Sequence, residues 1–98
     1  MPDVIFTILL VDDDAAIRRS MHRLLNVFED EKLEVLEAGD GKKALEHLTR
    51  SSIQLAFVDL HMPSMNGLSL LGEIKKKTPE VHVIILTGSG SIRDAISA

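Results

Sequence analysis

The sequence predicts an α/β fold built on a parallel sheet, and three observations carry the prediction. Short apolar runs of strand length alternate with longer segments of helical period. Two of the runs lack polar alternation, as strands covered on both faces do. Strands separated by helices imply right-handed crossovers and hence parallel pairing.

The elements follow in order. Ile5 to Val11 (IFTILLV) is a continuous apolar run ending in Asp12-Asp13-Asp14. Asp14 reads as the N-cap of a helix. From Ala15 to Phe28 the residues Ile17, Met21, Leu24, Leu25 and Phe28 fall on one helical face. Leu33 to Ala38 (LEVLEA) alternates as a half-buried strand does. Asp40-Gly41 is a turn in which Asp40 caps a second helix, with Ala44, Leu45 and Leu48 inward. Leu55 to Val58 (LAFV) is another buried strand, ending at Asp59. A loop from His61 to Asn66 carries Pro63. Asn66 caps a third helix with Leu68, Leu71 and Ile74 inward, which stops before Pro79. Val81 to Leu86 is the last apolar run, ending at Thr87. Gly88-Ser89-Gly90 turns the chain, and Ser91 with Asp94 forms a capping box for a fourth helix that is still running at Ala98.

Composition narrows the function. With 98 residues, 45% hydrophobic and 27% charged, the chain makes one small soluble domain. A net charge of −4 argues against nucleic-acid binding by this segment. The basic run Lys75-Lys76-Lys77 reads as a favourable close to a helix. No cysteine is present, which excludes disulfides and Cys-ligated zinc and makes a reducing cytoplasm the expected compartment. No apolar run is long enough for a membrane span, and the N-terminus has no signal-peptide pattern. Three Phe and no Trp or Tyr leave no stacking platform.

In an open α/β sheet, ligands bind beyond the carboxyl ends of the strands. Asp12, Asp13 and Asp14 end the first strand here, Asp59 the third and Thr87 the fourth. Clustered carboxylates repel, so at least one is pushed toward its neutral form unless a cation intervenes. Hard oxygen donors suit Mg²⁺. A bare carboxylate is also a nucleophile toward phosphorus, and phosphoryl transfer needs little beyond positioning and charge neutralisation. The Thr87 hydroxyl can donate to a phosphoryl oxygen. His22, His47 and His82 show no ligand spacing and read as surface or packing residues. For His61 the backbone carbonyl is a better ligand than the ring. Met62 and Met65 read as loop packing.

These residues resemble the receiver domain of two-component response regulators. The matching segments are Ile8 to Asp14 (ILLVDDD), Leu55 to Gly67 (LAFVDLHMPSMNG) and Val83 to Gly88 (VIILTG), at the family's spacing. The resemblance implies a flavodoxin-like three-layer fold with strand order 2-1-3-4-5. It implies a partner sensor histidine kinase that donates a phosphoryl group to Asp59. Asp13 and Asp59 would bind Mg²⁺ directly with the backbone carbonyl of His61, and Asp12 chiefly through water. Thr87 would act as the switch, shifting the surface of the fourth strand and helix as populations change.

The resemblance also sets an expectation at the end of the chain. The family has a fifth strand, a fifth helix and a phosphoryl-contacting Lys that residues 1–98 do not include. The reading is therefore a receiver cut within its fourth helix, without an output domain. Its fourth strand would be an apolar edge open to association, including a homodimer through the fourth strand and helix. The Gly88 to Ala95 stretch resembles receivers attached to DNA-binding transcription regulators. Two alternatives compete. One is an interaction module of receiver fold that acts without phosphorylation. The other is a haloacid-dehalogenase-like phosphatase using Asp12-x-Asp14.

Overall fold

The computed structural model describes residues 5–27, 32–60 and 67–86. Seven elements follow one another: β1 (Phe6–Val11), α1 (Ala15–Asn26), β2 (Leu33–Ala38), α2 (Gly41–Arg50), β3 (Leu55–Asp59), α3 (Gly67–Lys77) and β4 (His82–Leu86). The strands form one parallel sheet in the order β2-β1-β3-β4, as the first four strands do in the order that the resemblance to receivers implies. The expected fourth helix lies outside the described residues, as do Thr87 and the loop from His61 to Asn66.

The topology dictates the layers. The step from β1 to β2 runs opposite in direction to the steps from β2 to β3 and from β3 to β4. Right-handed crossovers therefore place α1 on one face and α2 with α3 on the other. The second face holds the main core. Leu9 and Val11 of β1, Ala56 and Val58 of β3, Ala44 and Leu48 of α2, and Leu70 and Ile74 of α3 are all buried there. β1, flanked on both sides, is buried from Thr7 to Val11 on both faces, which explains its unbroken apolar run.

Each helix begins where a side chain meets its free N–H groups. Asp14 Oδ1 accepts from the backbone N–H of Ala16 at 2.9 Å and of Ile17 at 3.4 Å. Asp40 Oδ1 accepts from Lys43 N–H at 2.7 Å. Both caps are those expected from the sequence. Lys75, Lys76 and Lys77 fall in the last turn of α3, where cations favour the helix dipole.

Two expected faces are corrected. Leu68 is 55% exposed, and the inward residues of α3 are Gly67, Leu70 and Ile74, with Leu71 half-buried. The phase is set by Gly67. A Cβ there would stand 2.5 Å from Leu60 Cα and 2.7 Å from the Asp59 carbonyl, so this residue must meet the end of β3 as glycine. In α1, Ile17 and Leu24 are 44% and 68% exposed, while Arg18, Met21, His22 and Leu25 are the partly buried residues. The helix is turned toward β2, where Arg18 and His22 pair with Glu37. Of the apolar stripe, Met21 and Leu25 thus face the sheet beside Arg18 and His22, while Ile17 and Leu24 face away. Phe28 lies outside the described residues.

Replacing Leu70 or Ile74 with Ala is expected to destabilise the chain by about 2–5 kcal/mol, the range for a buried aliphatic in a packed core. Leu68→Ala should stay within roughly 0.5 kcal/mol, as surface changes do. Urea unfolding of the three variants would order them; equal losses would contradict this phase for α3.

Candidate functional site

The site lies at the carboxyl edge of the sheet. β1 and β3 are neighbours with Val11 opposite Val58, so the residues that follow, Asp12 and Asp59, end adjacent strands side by side. Asp13 extends the same turn. One carboxylate oxygen from each of Asp12, Asp13 and Asp59 can be chosen so that all lie within 4.8 Å of one another. Asp12 is buried, Asp13 exposed and Asp59 half-buried. The structure thus brings together three of the residues singled out in the sequence. Thr87 and His61 lie outside the described residues. Leu86, the residue before Thr87, is aligned with Asp59 across β3 and β4.

Asp14 does not share this role. Its carboxylate is engaged at the start of α1, which weakens an Asp12-x-Asp14 phosphatase reading. Its own backbone N–H donates to Asp12 Oδ1 at 2.9 Å, orienting the buried carboxylate. Burial raises the Asp12 pKa, the negative charges of Asp59 and Asp13 push it the same way, and the Asp14 N–H opposes them. An acid with a raised pKa favours folding most fully when protonated. That contribution fades as pH rises from the ordinary value of 3.8 through the raised one. Above the raised value the ionised Asp12 is therefore a destabilising feature of the chain without a cation. All three donors are hard oxygens at a shared point, a set that fits Mg²⁺.

Two supports hold the strand ends. The Leu60 N–H donates to the Leu86 carbonyl at 3.1 Å, and the Gly67 N–H to the Leu60 carbonyl at 3.2 Å. The start of α3 is thus pinned to the end of β3 that carries Asp59. A second group, which the sequence reading missed, lies behind Asp12. Arg18 Nε and His22 Nδ1 meet the two carboxylate oxygens of Glu37 at 3.1 and 2.9 Å. His22 and then burial, opposed in sign, followed by Arg18, act on Glu37, and the net result lowers its pKa. Its stabilising contribution is in place above the ordinary value of 4.5 and is lost as pH falls through the lowered one. Nothing in the spacing of residues 18, 22 and 37 signals this contact, because it depends on how α1 lies over β2.

A parallel sheet that gathers carboxylates at its carboxyl edge, under helices on both faces, is the architecture of a flavodoxin-like receiver. The chain belongs to the response regulator receiver domain family, whose profile matches residues 8–98. It is 40% identical over 91 residues to the transcriptional regulatory protein GlrR of Escherichia coli, covering 93% of this chain and 20% of that protein. It is 33% identical over 92 residues to the nitrate/nitrite response regulator protein NarP of Escherichia coli, covering 94% of this chain and 42% of NarP. The chain therefore spans about a fifth to two fifths of these relatives. Among solved structures it resembles the response regulator protein TrrA of Thermotoga maritima in complex with Mg²⁺-BeF. The TM-score is 0.79 at 32% identity, over 95% of this chain and 78% of that one.

In metal-free buffer at neutral pH, Asp12→Asn is expected to raise the melting temperature, by about 4–8 °C for each kcal/mol of relieved repulsion and burial. The amide keeps an acceptor for the Asp14 N–H and removes the charge. A lower melting temperature would show that Asp12 is not held against its charge. Gly67→Ala should instead cost about 1–3 kcal/mol, the range for overpacking, and should shift the amide resonances of Asp59 and Leu60.

Proposed function

We propose that this chain is the phosphoacceptor receiver of a two-component system, with Asp59 as the acceptor. The observation that carries the reading is the meeting of the Asp12, Asp13 and Asp59 carboxylates at the ends of adjacent strands. Asp59 follows an apolar strand and opens onto the carboxyl edge, where a donor can approach. One oxygen of its carboxylate attacks phosphorus as the bond to the donor's nitrogen breaks. The electron pair of the P–N bond stays on that nitrogen while the other ring nitrogen keeps its proton, so the products are an acyl phosphate on Asp59 and a neutral imidazole on the kinase histidine.

Asp12, Asp13 and Asp59 would hold the Mg²⁺, with the His61 carbonyl as a further ligand. When bound, the cation offsets the charge of the acceptor and the incoming phosphoryl group. Asp12, fixed by the Asp14 N–H, keeps its carboxylate facing the acceptor. Thr87 serves as the switch hydroxyl, following directly on the residue aligned with Asp59. The partner is a sensor histidine kinase. Residues 1–98 act as the receiver segment, and the output lies in a further domain, as the much greater length of GlrR and NarP supports. The compartment that suits this function is the cytoplasm.

The test is an intact-mass spectrum after incubation with Mg²⁺ and a small phosphodonor such as acetyl phosphate. The parent should gain one phosphoryl mass. Asp59→Asn, or removal of Mg²⁺ with a chelator, should abolish the gain. A folded parent with no gain would favour the interaction-module reading instead. Mg²⁺ should also raise the melting temperature of the parent, with stabilisation growing as RT ln(1 + [Mg²⁺]/Kd), and do so far less for Asp13→Asn.

A further inference from the structure

Arg18 joins the site to β2. From the second turn of α1 its Nη1 donates to the backbone carbonyl of Asp12 at 2.5 Å, and its Nε to Glu37 Oε1 at 3.1 Å. Its side chain is 18% exposed. The far anchor is itself held from both faces of the sheet. Glu37 Oε2 meets His22 Nδ1 at 2.9 Å, and the Glu37 backbone carbonyl meets His47 Nε2 of α2 at 3.0 Å. The guanidinium lies against Gly39, where a Cβ would stand 3.3 Å from Nη1. A small residue at 39 therefore leaves the clamp its room. One backbone bond runs parallel to it, from Asp12 N–H to the Ala38 carbonyl at 3.1 Å.

The clamp lies where the site is under stress. Asp12 and Asp13 share a turn, and their carboxylates converge with a third at short range. Repulsion among like charges at that range works against the turn. Arg18 touches the Asp12 carbonyl and not its carboxylate, so it holds the backbone from which both carboxylates hang. A rigid fork with two donors fits this task, since one guanidinium spans two acceptors on different elements.

We propose that Arg18 is a positioning residue that sets the Asp12-Asp13 turn for cation binding, an inference that rests on the function proposed above. Partners standing just behind metal ligands typically change metal affinity about 10–100-fold.

Calorimetric titration of the 98-residue chain with Mg²⁺ alone tests it. Arg18→Ala and Arg18→Lys should each weaken Mg²⁺ binding by about tenfold or more. The lysine keeps the charge but cannot span both acceptors. Arg19→Ala, on the same helix and without contact to the Asp12 carbonyl, should leave the affinity unchanged. Glu37→Ala should weaken binding too, and combining it with Arg18→Ala should add little. Gly39→Ala crowds the guanidinium with every charge intact. It should give a smaller loss of affinity, and it serves should the Arg18 variants not fold. Melting temperatures that fall while Mg²⁺ affinity stays at the parent value in Arg18→Lys and Gly39→Ala would reduce Arg18 to a structural role and overturn the inference. A folded parent that does not bind Mg²⁺ would sink the cation site itself, a distinct outcome.

Discussion

The pairing of β1 with β3 is the constraint on which the site depends. These strands run parallel with Val11 opposite Val58, so their carboxyl ends deliver Asp12 and Asp59 to one edge. A shift by one residue would turn one of those side chains to the opposite face of the sheet. The register is held by burial. Leu9, Val11, Ala56 and Val58 face the α2–α3 layer and are essentially inaccessible. Moving them would expose an apolar face, at about 25 cal/mol for each Å² uncovered.

That packing bears an electrostatic load. Buried Asp12 sits beside two other acids with its pKa raised, a local conflict of the kind that functional sites keep. The surrounding contacts resist the conflict without removing it. Asp14 spends its carboxylate on the start of α1 and its N–H on Asp12. Gly67 lets α3 begin flush with the end of β3. Arg18 fastens the Asp12 backbone to Glu37. Such a site is tied by hydrogen bonds along its backbone and crowded in its charges, and a cation would relieve that crowding.

The two faces of the sheet differ in how they are held. The α2–α3 face is an apolar core centred on Leu9, Leu70 and Ile74. The α1 face combines the buried Ile8 and Leu10 with the Arg18–Glu37–His22 group, and leaves Ile17, Leu24 and Ile84 largely exposed. Membership in the receiver family rests on nearly the whole chain. The activities of GlrR and NarP as whole proteins belong to lengths this chain does not span.

Much of this was legible in the sequence. The unbroken apolar run of β1 marked a strand buried on both faces, and Asp14 and Asp40 marked helix starts, because strand burial and capping are local in origin. The acids at the strand ends marked the site, since a parallel sheet carries all its carboxyl ends to one edge. The rotation of each helix on the sheet was not legible. Leu68 and Leu71 fit an inward stripe as well as Leu70 does, and the choice fell to Gly67 against the backbone of Leu60. In α1 the apolar stripe included Ile17 and Leu24, yet the helix presents Arg18 and His22 to Glu37 and leaves those two exposed. The sequence by itself determined the order of elements and the parallel sheet, because these follow from periodicity and chain direction, while the strand order that brings Asp12 and Asp59 together came from the resemblance to receivers. Only the tertiary structure decided helix phase and the clamp behind Asp12, because those depend on contacts between residues that no local pattern links.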